Sequence, residues 1–167
     1  MSDGLTLLTQ LHTGISLVGI VSGLVVMWGL LRADPLPRWT AVFLITTVAT
    51  SVTGYLFPFH QLMPSHVVGA ISLVDLAVAI WARYGRAMLG GWSIAYVVSA
   101  TVALYFNVIV LVAQLFAKVP ALHALAPTQS EAPFAVAQSA VLVAFVALGV
   151  RAVRRTRAGT VAPRVAG

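Results

Sequence analysis

Cysteine is absent from this chain, and with it go disulfides, thiolate zinc sites, iron–sulfur clusters and the C-x-x-C-H attachment of haem. Any metal or haem would be held by histidine, methionine or oxygen. Acid is nearly as scarce: Asp3, Asp34, Asp75 and Glu131 are the only carboxylate side chains. Charged residues make up 8% of the 167 residues, against roughly 25% in a soluble domain. Catalytic signatures are missing too. "GRAMLGG", residues 85–91, lacks the G-K-[ST] ending and preceding strand of a phosphate loop, and no set of nucleophile, base and orienting residue can be assembled. The chain leans away from an enzyme.

What fills the chain is hydrocarbon. Hydrophobic residues make up 60%, and five apolar stretches, at about 11–31, 40–57, 66–82, 92–117 and 133–150, approach the roughly 20 helical residues that cross a bilayer. The prediction is an all-α integral membrane bundle of five transmembrane helices, a single domain over 1–167 with a basic tail at 151–167. Too little chain remains for a separate soluble domain.

The formal net charge of +6 suggests nucleic acid until its placement is considered. Arg151, Arg154, Arg155, Arg157 and Arg164 are half of the ten basic residues and follow the last span. Such a cluster fits anionic lipid headgroups rather than nucleic acid. The first turn, "RADPLPRW", carries Arg32 and Arg38, the second carries none, the third, "RYGR", carries Arg83 and Arg86, and the fourth only Lys118. The positive-inside rule then puts the N-terminus outside and the C-terminus in the cytoplasm. An odd number of spans fits that parity. With no basic segment before it and Arg32 after it, the first span reads as an anchor that stays in the membrane. Trp39, Tyr84 and Trp92, with Trp28 and Trp81 close by, fall where an aromatic belt at the cytoplasmic face would place them.

Within the spans the polar residues are few enough to interpret singly. "GIVSG" makes Gly19 and Gly23 a G-x-x-x-G pair, with Ser16 and His12 continuing the face, so this side of span 1 should pack on another helix. Span 2 carries Thr46, Thr47, Thr50, Ser51 and Thr53, hydroxyls suited to bonding back onto the preceding turn as packing glue. Pro58 and Pro64 should end span 2 and set up span 3, with Ser65 as its N-cap. "PALHALA" suits a short surface helix, and Thr128 with Glu131 has capping-box spacing.

Three segments carry a resemblance. "HTGISLVGIVSGLVV", "MPSHVVG" and "KVPALHALAPTQSEAPF" together resemble a group of small, uncharacterised bacterial multi-span membrane proteins. The resemblance implies a bacterial cytoplasmic membrane location and brings no activity, cofactor or partner with it.

Chemistry is expected from two sets of residues. With the orientation above, His12, His60, His66 and His123 all fall on the outer side. Imidazole is the ligand left for haem b, copper or zinc in a chain without cysteine. The leading expectation is an outer-side site with His12 and His66 as ligands and His60 and His123 as alternates, serving electron transfer or quinone-linked redox work. That site needs spans 1 and 3 to touch.

Asp75 is the second anomaly, because "ISLVDLAVAIW" puts a carboxylate near the middle of span 3. Ionised there it costs about 2.5–3.5 kcal/mol, so it should be protonated, paired or beside water. His66 and Asp75 are nine residues apart, about 900° of helix, and so take opposite faces. Asp75 shares its side with Ser72, Ala79 and Arg86. Tyr96, Ala100, Ala103, Asn107 and Gln114 form a small or polar stripe on span 4, with Asn107 expected near the depth of Asp75 and Gln114 and Gln138 nearer the outer face. The second expectation is therefore proton-coupled or ion transport along Asp75, Asn107, Gln114 and Gln138. A third is a structural or assembly subunit that uses the Ser16, Gly19 and Gly23 face. Expected partners are the lipid bilayer and either a homo-oligomer or a larger membrane complex.

Overall fold

The computed structural model describes residues 2–57 and 64–161; His60 lies outside them. Every regular element among these residues is helical: α1 Ser2–Arg32, α2 Pro37–Gly54, α3 Pro64–Ile80, α4 Trp92–Lys118, α5 Pro120–Leu125 and α6 Ala132–Val161. A π-turn, Trp81–Gly85, extends α3. Four stretches among the described residues are long and apolar enough to cross a membrane: Gly4–Arg32, His66–Gly85, Trp92–Lys118 and Ala132–Ala158.

The expected second span is the one that falls short. α2 is an 18-residue helix, but it takes in Arg38 at its start and its five hydroxyls dilute the apolar character of its second half. Other boundaries move because no helix breaker stops them. α1 starts near the beginning of the chain, and the arginine-rich start of the tail continues α6 to Val161, since arginine and alanine favour helix. α3 opens on Pro64, where a missing N–H is harmless, so Ser65 lies inside the first turn and not at the cap. The short helix α5 forms as expected.

Residue pairings give the topology. His12 meets Thr53, Gly19 faces Thr46 and Thr47, Gly23 faces Phe43, and Gly29 faces Leu36; rising numbers on α1 meet falling numbers on α2. The two helices therefore lie antiparallel along the whole of α2. α3 packs on α2 and α4, while α1 packs on α2, α4 and α6. The result is a four-cornered bundle, α1, α2, α3 and α4 in order, with α6 laid against the α1 and α4 side. α1 and α3 sit on one diagonal, and α2 and α4 on the other.

α4 is the centre of this arrangement. Tyr96, Val97, Ala100, Ala103 and Leu104 are all buried, and the small alanines let neighbouring backbones approach. The G-x-x-x-G pair does the same on α1. A Cβ added at Gly23 would lie 2.6 Å from Leu104 Cδ1 and 2.8 Å from Phe43 Cε2, and one at Gly19 would lie 3.2 Å from Thr46 Oγ1. Ser16, by contrast, donates to the carbonyl of His12 at 2.7 Å, so it bonds within its own helix. Thr46 and Thr53 likewise bond back to Val42 and Ala49 at 2.7 Å.

The two ends of the bundle differ in chemistry. One gathers Arg32, Arg38, Arg83, Arg86 and the α6 arginines. The Arg32 guanidinium lies 3.7 Å over the Trp28 ring and that of Arg86 5.5 Å over the ring of Trp92, an arrangement in which each cation is held by the face of an interfacial aromatic. Trp28, Trp39, Trp81 and Tyr84 are exposed at this end. The other end carries Lys118 and Glu131. There Glu131 accepts hydrogen bonds from the Thr128 hydroxyl at 2.9 Å and from the Thr128 and Ser130 amides at 3.2 and 3.1 Å. Desolvation works against the charged form, but these donors outweigh it and hold the carboxyl below its ordinary value. Glu131 thus ties down the turn leading into α6.

The close approach at Gly23 is testable. Gly23→Leu should lower unfolding stability in detergent by roughly 1–3 kcal/mol, the usual range for overpacking. Gly14→Leu, at a position where an added Cβ meets nothing within 4 Å, should leave it unchanged or slightly raised.

Candidate functional site

His12, His66 and His123 are the histidines among the described residues, and all three lie at the end opposite the arginines. His12 Nδ1 is 2.8 Å from Thr53 Oγ1. Because the Thr53 hydroxyl already donates to Ala49 O, the imidazole must be the donor, which leaves Nε2 as the open nitrogen. Phe57 stands edge-on to this ring, with centroids 5.3 Å apart. His66 begins the exposed end of α3 beside Tyr55, with ring centroids 5.8 Å apart, and its carbonyl accepts the Tyr55 hydroxyl at 2.7 Å. His123 is exposed on α5.

The shared end agrees with expectation, but the meeting of His12 and His66 does not follow. Their helices occupy diagonal corners and share no extended interface. Among the described residues no group of three or more His, Asp or Glu side chains converges. Lys118 is within electrostatic reach of His12, and its ammonium opposes a second cation there.

A second set of polar residues does converge, in the seam of α2, α3 and α4. Starting from the histidine end, Tyr55 bonds to the first turn of α3. Further in, the Asn107 amide donates to Thr47 Oγ1 across the diagonal at 3.2 Å, and Ser51 donates to the buried Ser72 at 3.3 Å. One turn beyond Ser72 comes Asp75, with the Ser99 side chain of α4 as its hydrogen-bonding partner. Asp75 Oδ2 is buried with no partner, and so is Thr50 Oγ1 on α2. Towards the arginine end, the Tyr96 hydroxyl donates to Thr40 Oγ1 at 3.4 Å. The Pro35 carbonyl accepts both Thr40 and Arg83 Nη2, at 3.3 and 3.2 Å.

The π-turn explains which arginine joins this column. Its extra residue per turn brings the Arg83 guanidinium 5.3 Å from the Tyr96 ring centroid, whereas regular helical spacing puts Arg86 on the Asp75 side. Arg86 stacks instead on Trp92. Three other expectations are corrected. Asn107 is eight residues beyond Ser99, about 12 Å along the axis, so it lies well nearer the histidine end than Asp75. Gln114 is exposed. Gln138 donates to Ile109 O on α4 at 3.1 Å and faces away from the seam, because α6 packs on α1 and α4 and not on α3.

Sequence reasoning missed Ser99, Tyr55 and Gln129. The Gln129 amide donates to Ala113 O at 2.8 Å and pins the turn before α6 to α4. For Ser99 the signal was a depth count. Asp75 lies eight residues before Arg83 and Ser99 seven residues after Trp92, which makes them level when both spans are counted from the arginine end.

No protein-family model, curated protein or solved structure matches this chain, and the chemistry of the seam rests on its own geometry.

Proposed function

We propose that the protein is a five-span bundle of the bacterial cytoplasmic membrane, N-terminus outside, that moves protons through the α2–α3–α4 seam or couples their movement to transport, with Asp75 as the protonatable station. The observation that carries this is the buried, unpartnered Oδ2 of Asp75, placed between hydroxyl pairs that lead towards both ends. Ser99 partners the carboxyl from α4, and the unpartnered Oδ2 receives the proton. Ser72 and Tyr96 lie about one turn, roughly 4.5 Å of helix rise, to either side of the Asp75–Ser99 level, a gap that one water bridges.

Energetics support a role other than adhesion. Interhelical hydrogen bonds contribute about 0.6 kcal/mol each, so the four side-chain pairs of the seam amount to roughly 2.4 kcal/mol and the Asp75–Ser99 pair to only about a quarter of that. An ionised Asp at the same depth costs about 2.5–3.5 kcal/mol. An alanine would hold the helices together as well. A second reading draws on His12, whose donated Nδ1–H is the orientation a ligating imidazole adopts. Haem b, copper or zinc at Nε2 would then need its second donor from outside the corner His12 occupies.

In vesicles carrying the purified protein, Asp75→Asn should reduce proton flux at least tenfold while leaving helicity and unfolding temperature unchanged. Undiminished flux would remove Asp75 from the path. The fifth span is tested separately, using the absence of native cysteine. With Asp34→Cys and Leu56→Cys flanking α2, a membrane-impermeant maleimide should label only Leu56→Cys in intact spheroplasts and both after lysis. Equal labelling of the two in intact spheroplasts would mean that α2 does not cross.

A further inference from the structure

α6 meets the bundle along α4 for most of its length, yet between the two helices there remains an open groove of about 510 Å³. Its walls are aliphatic, with Val98 and Val102 on α4 and Val146 and Val150 on α6. The floor is Gly149, where an added Cβ would sit 3.3 Å from Thr101 Cγ2. The one hydroxyl in that floor is already committed, since Thr101 Oγ1 donates to Val97 O at 2.7 Å. The inner end is closed by the Tyr105 and Phe145 rings, with centroids 5.8 Å apart. The other end opens between Arg154 and Arg157, which share a face of α6 at i and i+3. Among the described residues no acidic side chain lines it.

The dimensions fit a lipid leaflet. Phe145 and Arg154 are nine residues apart, about 13.5 Å along the helix, close to half of the roughly 30 Å hydrocarbon core. The guanidinium groups therefore stand at headgroup depth while the aromatic pair lies near the bilayer midplane. An apolar channel one leaflet deep with two cations at its mouth complements a molecule with the reverse layout, an anionic head on an acyl chain.

We propose that the α4–α6 groove is a binding site for one anionic phospholipid of the arginine-side leaflet, its phosphate held by Arg154 and Arg157 and one acyl chain lying on Gly149 between the valine walls. Charge complementarity picks the headgroup and the dry wall picks the chain. A free phosphate would satisfy only the arginines. A second copy of this chain would bring its own arginines to the same mouth, where like charges repel.

Native mass spectrometry of the protein in a non-ionic detergent tests this with phosphatidylglycerol and phosphatidylcholine of matched chains. The native chain should retain one phosphatidylglycerol in preference to phosphatidylcholine. Arg154→Gln with Arg157→Gln should weaken that binding roughly thirtyfold, at the usual contribution of a basic residue near an anionic headgroup. Val146→Trp, at a position 57% exposed on the groove wall, should displace the lipid with both arginines intact. Arg32→Gln with Arg38→Gln, away from the groove, should leave it bound. The proposal is overturned by equal retention of the two lipids, by undiminished binding in either groove variant, or by an equal loss in the distant control, which would indicate a general basic belt. A change from dimer to monomer on Val146→Trp without lipid loss would assign the groove to a second copy instead.

Discussion

A helix with five hydroxyls in its second half has no favourable place in hydrocarbon unless other helices cover that face. This requirement shapes the bundle. α2 lies along the full glycine face of α1, where Gly19 and Gly23 let the backbones close on Thr46, Thr47 and Phe43. Thr46 and Thr53 satisfy their own hydroxyls on the preceding turn. Ser51 and Thr47 turn towards α3 and α4, where Ser51 finds Ser72 and Thr47 finds Asn107, while Thr50 is left buried without a partner. Once α2 is fixed between α1 and α3, α4 must close the square, and α6 is left on the outside with a groove along its edge.

The same packing makes the bundle chemically asymmetric along its axis. Arginines and aromatics cluster at one end, and imidazoles, Lys118 and Glu131 at the other. Between them runs a column of hydroxyls with one carboxylate in it. The column does not depend on α6, which packs on the other side of α4. The two faces of α4 therefore differ: its α3 face sets Ser99 beside Asp75, and on its α6 face Val98 and Thr101 line the groove that ends at Arg154 and Arg157.

Much of this was legible in the sequence, and the failures have physical causes. The helical class, the G-x-x-x-G contact, the short α5 and the Tyr96–Ala100–Ala103 face follow from periodicity and from small residues at helical spacing. The gathering of arginines at one end follows from charge counting. Which corners touch does not, because periodicity shows that a face is buried without naming the helix that covers it. His12 and His66 share an end but occupy a diagonal. The inward arginine is Arg83 and not Arg86 because the π-turn Trp81–Gly85 adds one residue to its turn, which no composition rule marks. The expected common depth of Asn107 and Asp75 does not hold, because fifteen residues separate Asn107 from Trp92 while only eight separate Asp75 from Arg83. Counting from a common end brings Ser99 to Asp75.

The square itself is the claim on which the seam depends, and disulfide trapping in this cysteine-free chain measures it directly. The account predicts that Ser51→Cys with Ser72→Cys, whose native oxygens lie 3.3 Å apart, crosslinks rapidly under mild oxidation, while His12→Cys with His66→Cys stays reduced. Rapid bridging of the histidine positions together with failure at Ser51 and Ser72 would contradict it. That outcome would put α1 against α3 and make the imidazoles, and not Asp75, the centre of the protein's chemistry.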